Sequence, residues 1–366
     1  MITKKNKVLA TCATLAMGLF LSACGGGGAP AAPAAPAPAA PAAPAAGAPT
    51  TEAPATPQDG PLVGQTQLRL SFNQSIDNPQ AQTILHLSDQ LHTATEGRFS
   101  IEVFPNEQLG NQADSLALVQ MGALDMAIVA NPLVENINQD FAVLGAPFMY
   151  DSIDHQLRVL LSGDLDDLFA TTADAGFNVL AAYNLGPRNV YLRDGLIETP
   201  EDLAGMGIRV MQSDTMVQMM NLMGGVGTPM PQGEVYTAIQ TGILAGAENN
   251  IITYYDLLQF EVAPYYIETN HLMIPDLLII NNNVLAGMSA DDQNALMTLS
   301  RESIQFMFDA AEALRDDYRQ RLLAHGVTFG TVDMSLFRER VQPLIDDVVN
   351  RSDVAYATYQ IINSHR

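Results

Sequence analysis

Two arginines, Arg188 and Arg209, stand in a run rich in acids and amides between Gly186 and Asn250 that lacks the partners catalysis would need. Arg188 lies in Gly186-Pro187-Arg188-Asn189 and Arg209 in Gly207-Ile208-Arg209-Val210. Beyond them come Thr228-Pro229-Met230, the stretch Glu234-Val235-Tyr236-Thr237-Ala238-Ile239-Gln240-Thr241-Gly242, and Ala247-Glu248-Asn249-Asn250. A guanidinium offers a planar fork of donors that matches a carboxylate two-on-two. Such forks among amides and apolar residues, without nucleophile, base or metal cluster, have the chemistry to hold an anion rather than convert it.

The amides extend the same chemistry. Asn249 carries both a donor and an acceptor, which suits hydroxyls or a carboxylate oxygen. Gln212 and Ser213 continue the Arg209 strand into a helix N-terminus, where backbone donors and the positive helix end favour an anion. Gln232 sits in Met230-Pro231-Gln232-Gly233, Asn73 closes the first strand at its carboxyl end, and Asn131 ends the third strand similarly. Ligands of open α/β sheets bind at strand carboxyl ends, although an asparagine after a strand is more often a plain turn residue. By pattern alone an arginine on a short strand is usually solvated or paired with an acid. That reading is kept for Arg193. The six histidines form no His-Glu-x-x-His pair, and no Gly-x-Ser-x-Gly or Gly-x-Gly-x-x-Gly after the first strand is present. Methionines between Met211 and Met230 read as adaptable core filler. No metal or cofactor is expected, and no reaction.

The elements that must position these residues alternate. Leu68 to Phe72, Phe99 to Phe104, Met126 to Val129 and Asn178 to Tyr183 read as strands; Gln80 to Thr95, a helix closing over Leu116 to Gly122, and Ile153 to Ala175 read as helices. This βαβ rhythm predicts a mainly parallel sheet with helices on both faces. It restarts after Arg188 with strand Ile208–Met211 and helices Asp214–Met223, Glu234–Gly242 and Ile252–Gln259. From Ser289 to Ala324 apolar residues recur at helical spacing without Gly or Pro, after an N-cap and two acids, which predicts one long helix or two nearly continuous ones. Leu336 to Ile362 supplies the terminal helices.

At the amino end, Lys4, Lys5 and Lys7 precede an apolar stretch from Val8 to Leu21, and Leu21-Ser22-Ala23-Cys24 is a lipobox. That pattern predicts a signal peptide over 1–23 and a lipidated Cys24. Cys12 leaves with the signal, so no disulfide is expected. Residues 24–65 are glycine-rich and then Ala/Pro-rich, a composition that favours extended polyproline II and reads as a tether. The formal net charge of −23 includes three leader lysines, so the remainder stands near −26, and every basic residue beyond Lys7 is an arginine. Such a chain repels phosphate backbones, which argues against nucleic-acid binding.

The motifs around both arginines resemble those of the DctP-type solute-binding subunits of TRAP transporters (tripartite ATP-independent periplasmic transporters). The resemblance runs in order from about residue 66 to 350. It also takes in Phe104-Pro105, Gln108-Leu109-Gly110, Gly122-Ala123-Leu124-Asp125-Met126, Ala146-Pro147-Phe148 and Thr269-Asn270-His271. It implies an α/β, two-lobed, periplasmic-binding-protein-like fold with a long helix spanning both lobes. Lobe I would be 66–185 with part of 275–314, and lobe II 186–274 with part of 315–366. It implies an extracytoplasmic receptor that closes on an organic acid and delivers it to integral-membrane subunits. Arg209 matches the family's carboxylate-clamping arginine, Arg188 its second ligand-facing arginine and Asn249 its ligand asparagine, with Glu248 and His271 structural. Relatives often read Asp-Gly before the Glu-Asn; Ala245-Gly246 replaces it here. The Arg-Val-Met-Gln-Ser and Ala-Glu-Asn-Asn variants resemble members that bind sugar acids such as hexuronates. C4-dicarboxylates are the alternative, and a tethered hydrolase or lyase of carboxylated sugars a distant one. The lipobox yields a direct test: Cys24→Ser is expected to move the protein from the membrane to the soluble fraction, and unchanged membrane association of the variant would refute the anchor.

Overall fold

The computed structural model describes residues 65–366; the expected signal peptide, Cys24 and nearly all of the tether lie outside the described residues. The strands are β1 (Thr66–Ser71), β2 (Phe99–Phe104), β3 (Met126–Ala130), β4 (Phe177–Tyr183), β5 (Arg188–Leu192), β6 (Gly207–Val210), β7 (Val226–Pro229), β8 (Gly246–Asn250), β9 (Tyr265–Leu272), β10 (Asp276–Asn281) and β11 (Thr328–Thr331). They build two sheets, one ordered β2-β1-β3-β10-β4 and the other β11-β9-β5-β8-β6-β7.

Both sheets are mixed, which corrects the expectation of a mainly parallel arrangement. β10 runs antiparallel to β3 and β4, and β5 antiparallel to β8 and β9. The cause is the chain path. After β4 the chain leaves the first sheet to begin β5, and after β9 it returns to insert β10 into the middle of the first sheet. β10 carries Leu277, Leu278, Ile279 and Ile280, each with no exposed surface. A central strand is covered on both faces, so its apolar run is continuous rather than alternating. Full burial of each such side chain contributes about 1.5–3 kcal/mol.

The predicted helix over Ile153 to Ala175 is interrupted. It forms Ile153–Leu161, then Asp166–Ala170 and a 3-10 turn Thr171–Ala175. Gly163, at φ +82, makes the break, a left-handed conformation that glycine adopts without strain. The long helix is a single element, Ala290–Ala324. Its first turn holds Asp291 and Asp292 behind the Ser289 cap, whose hydroxyl accepts from the Asp292 amide at 3.2 Å. At 1.5 Å per residue it reaches about 50 Å, enough to pass both lobes. It packs on the helix Pro79–Ala94 and β4 in one lobe and on the helix Ile251–Asp256 in the other.

The chain passes between the lobes at 184–187, at 273–275, along this helix, and again after the helix Met334–Val349, because the last helix, Asp353–Ser364, packs on the first lobe rather than on the second. Asn184 ties the two short crossings together, donating from Nδ2 to the Ile274 carbonyl at 3.2 Å while its Oδ1 accepts from the Gly186 amide. Gln156 braces the second crossing through the Met273 carbonyl at 2.7 Å.

Within the second sheet, β8 approaches β5 so closely at Gly246 that an added Cβ would collide with the Tyr191 carbonyl. Backbone cannot yield as a flexible side chain can. Gly246→Ala is expected to cost about 3 kcal/mol of stability, read as a lowered midpoint in urea unfolding.

Candidate functional site

β5, β6 and β8 deliver Arg188, Arg209 and Asn249 to one wall of a cleft between the lobes. The cleft holds a cavity of about 40 Å³ and is lined by Asn73, Gln74, Glu107, Asn111, Gln112, Leu133, Arg188, Arg209, Met211, Gln212, Pro231, Gln232, Asn249, Asn250, Thr253 and Asp276. Of the residues singled out from sequence, it gathers Arg209, Arg188, Asn249, Gln212, Gln232 and Asn73.

The two arginines differ in what already holds them. Arg188, 5% exposed, grips Glu248 with both arms: Nε to Oε2 at 2.6 Å and Nη2 to Oε1 at 2.8 Å. Nη2 also reaches the Glu248 carbonyl at 2.9 Å, and Nη1 donates to Asn249 Oδ1 at 2.6 Å. Burial alone would raise the Glu248 carboxyl. The Arg188 charge, its hydrogen bonds and the nearby His271 together outweigh burial and hold Glu248 down at about 2. His271 lies behind the pair with Nε2 3.7 Å from Glu248 Oε2 and Nδ1 2.8 Å from Thr269 Oγ1. Burial lowers its pKa, so it is neutral near pH 7.

Arg209 is 4% exposed and belongs to none of the ion pairs found among the described residues. Its Nε donates to the Met230 carbonyl at 2.8 Å and its Nη1 to Gln232 Oε1 at 2.9 Å. Burial pulls the guanidinium down to about 10, against the upward pull of Glu248 and Tyr191, and it remains charged at neutral pH. A buried cation without a carboxylate partner is costly, and the open side of this one faces the cleft.

The amides are arranged around it. Asn249 Oδ1 is taken by Arg188 and by the backbone and side chain of Asn250. Its Nδ2 leans on Gln232 Oε1 at 3.4 Å. Gln232 Nε2 and Asn73 Oδ1 are buried with no partner in the protein, a donor and an acceptor left open on facing walls.

Two predicted residues are placed elsewhere. Ser213 does not line the cleft; its hydroxyl caps the helix Asp214–Leu222 by accepting from the Met216 amide. The Glu135 carboxylate faces Ser213 and Thr215, so the positive helix end is met by an acid of the other lobe. Asn131 is fully buried inside the first lobe, where it opens the helix Asn131–Glu135 and donates to the Phe141 carbonyl at 2.9 Å. Because β3 runs straight into that helix, the side chain turns inward. The sequence reading missed Glu107, Gln74, Asn111, Gln112, Thr253 and Asp276. Most belong to loops and strand ends of the first lobe, where polar residues look like ordinary turns.

The family model for bacterial extracellular solute-binding proteins, family 7, matches residues 70–352. The chain belongs to this family. It is a DctP-type periplasmic solute-binding protein of TRAP transporters, a transport receptor and not an enzyme. A solute-binding protein of Chromohalobacter salexigens is 33% identical over 277 residues, covering 74% of this chain and 81% of that one. Among solved structures, a TRAP periplasmic solute-binding protein from Xanthobacter autotrophicus with bound β-D-galacturonate is 33% identical. It aligns with a TM-score of 0.78 over 81% of this chain and 99% of its own. Another, from Anaerococcus prevotii with bound D-glucuronate, is 31% identical with a TM-score of 0.80 over 82% and 98%.

The contrast between the arginines predicts unequal costs for the receptor. Arg188→Ala strands the buried Glu248 carboxylate and is expected to lose about 3–5 kcal/mol of stability. Arg209→Ala removes a cation that has no counter-ion and is expected to change stability by only about 1 kcal/mol. Equilibrium unfolding of both variants without ligand separates the two.

Proposed function

We propose that this receptor captures a sugar acid of the hexuronate class by cleft closure and hands it to the membrane subunits of its transporter. The observation that carries the reading is Arg209, a charged, buried fork with no carboxylate of the protein to hold. A ligand carboxylate would complete it two-on-two. Asn249, Gln232 and Gln212 on the same lobe, and Asn73 on the other, offer amide donors and acceptors for the hydroxyls of a polyol. Arg188 supports this wall by fixing Asn249 rather than by offering a free charge. The relatives from Xanthobacter and Anaerococcus, with uronates bound, support the same class.

Closure follows from where the contacts fall. The lobes already touch through Asn136 Nδ2 on the Gln212 carbonyl at 2.7 Å and Asn78 Nδ2 on Asp256 Oδ2 at 2.9 Å. A ligand touching both walls binds the closed form better than the open one, and that difference shifts the population. Lipidation at Cys24, with 24–65 as tether, would keep the receptor at the membrane surface near its partner.

A thermal-shift panel of uronates and C4-dicarboxylates on the purified mature chain tests the class. Saturation at about 100 times Kd adds roughly 2.7 kcal/mol to stability, and a midpoint raised only by C4-dicarboxylates would overturn the sugar-acid reading. Calorimetry with the best ligand then tests the clamp. Arg209→Ala is expected to lose about 2–5 kcal/mol of binding, roughly 30-fold to several-thousand-fold in Kd. Arg209→Lys should recover little, because a point charge cannot reproduce the fork. Arg193→Ala is the control; that side chain is paired with its neighbour Asp194. Binding by folded Arg209→Ala within about threefold of wild type would show that the carboxylate sits elsewhere.

A further inference from the structure

The wall opposite Arg209 carries charge of the other sign. Glu107 follows β2 in a turn, and Asp276 opens β10; both line the cleft. Glu107 Oε1 is buried without a partner, and Oε2 rests against Gly233 of the other lobe, where an added Cβ would lie 2.5 Å away. The turn that places it is held by the amides of Asn106 and Glu107, which donate to the carbonyls of Gln74 and Phe72 at 2.9 and 3.1 Å. Asp276 accepts from Gln80 Nε2 at 2.7 Å through Oδ2. Burial raises the pKa of both acids. For Glu107 the Gly233 amide and the Arg209 charge pull it back, and for Asp276 the Gln80 bond and the Arg188 charge do so.

Ionised carboxylates only accept hydrogen bonds. Groups that meet them must therefore be donors, and a sugar ring supplies hydroxyls there. The charge count points the same way. Arg188 is already committed to Glu248, so Glu107 and Asp276 face a single uncommitted arginine. A second ligand carboxylate entering this side would meet two carboxyl groups and no uncommitted cation, so its desolvation would go uncompensated.

We propose that Glu107 and Asp276 are the specificity-determining residues of the cleft: they accept from the hydroxyls of a monocarboxylate sugar acid and reject the second carboxylate of a diacid. This deepens the sugar-acid reading above and rests on it. The discrimination is partly repulsive, since the same two side chains that bind the polyol exclude its dicarboxylate competitor.

The test is calorimetry on the mature chain with D-glucuronate, with D-glucarate (the same carbon chain bearing a carboxylate at each end) and with malate. Wild type is expected to prefer glucuronate over both diacids by about 100-fold. Glu107→Gln and Asp276→Asn each keep volume and remove charge. Each should weaken glucuronate roughly 10-fold, and the double variant should narrow the preference over glucarate by about 10-fold or more. Melting curves establish that each variant is folded, and misfolding of one leaves the other to decide. A folded variant with an unchanged glucuronate-to-diacid ratio overturns the proposal while leaving the sugar-acid reading intact. Wild type that binds diacids and no uronate brings down both.

Discussion

The buried pair of Arg188 and Glu248 is the constraint on which the binding wall depends. Both side chains sit in the middle of the second sheet, on adjacent antiparallel strands β5 and β8, and neither has appreciable contact with water. Such a pair is tolerable only when its geometry satisfies the remaining donors and acceptors. Here the guanidinium spends its donors on both carboxylate oxygens, on the Glu248 carbonyl and on Asn249. The arrangement locks Asn249 toward the cleft and fixes β5 against β8. It also leaves Arg209, on the next strand, as the cation without a protein counter-ion. The receptor thus separates the arginine that builds the wall from the one that can meet a ligand.

Lobe architecture turns that wall into a closing device. The short crossings and the long helix restrict how the lobes move, since Asn184 couples one crossing to the other and Arg315 of the helix packs on Gly186. Contacts across the cleft are few and polar: Asn136 with the Gln212 carbonyl, Asn78 with Asp256, Glu135 with Ser213 and Thr215, and Glu107 against Gly233. Polar contacts of this kind exchange with water at small net gain. A ligand that bridges both walls can therefore tip the balance, and its release does not have to undo a large apolar interface.

An acidic surface around an anion site looks contradictory, yet the two act at different ranges. Exposed charges are screened beyond about 8–10 Å at physiological salt. A fork in direct contact with a carboxylate inside a partly dry cleft acts at hydrogen-bond distance, where the local dielectric is low and screening weak. The net charge of −23 bears on solubility and long-range encounter; the single open guanidinium bears on binding.

Much of this was written locally. Gly-Ile-Arg-Val announced a strand with Arg209 between two core residues, and Ile208 and Val210 are indeed fully buried beside it. The uninterrupted helical spacing after Ser289, free of Gly and Pro behind a good cap, left one long helix or two nearly continuous ones, and the fold makes it one. The family resemblance, carried by motifs in order, named the class of receptor. Tertiary structure decided what local pattern cannot. Whether an arginine is paired depends on a residue sixty positions away, so only the folded β5–β8 contact could assign Arg188 to Glu248 and leave Arg209 open. Ser213 and Asn131 carry suitable side chains, but a helix cap claims one and an inward turn after β3 the other. Glu107 and Asp276 were invisible as site residues because a single acid in a turn or at a strand start has no periodicity. They acquire meaning only when the crossing strands bring the first lobe opposite Arg209, since distance through space, not along the chain, sets the interaction between charges.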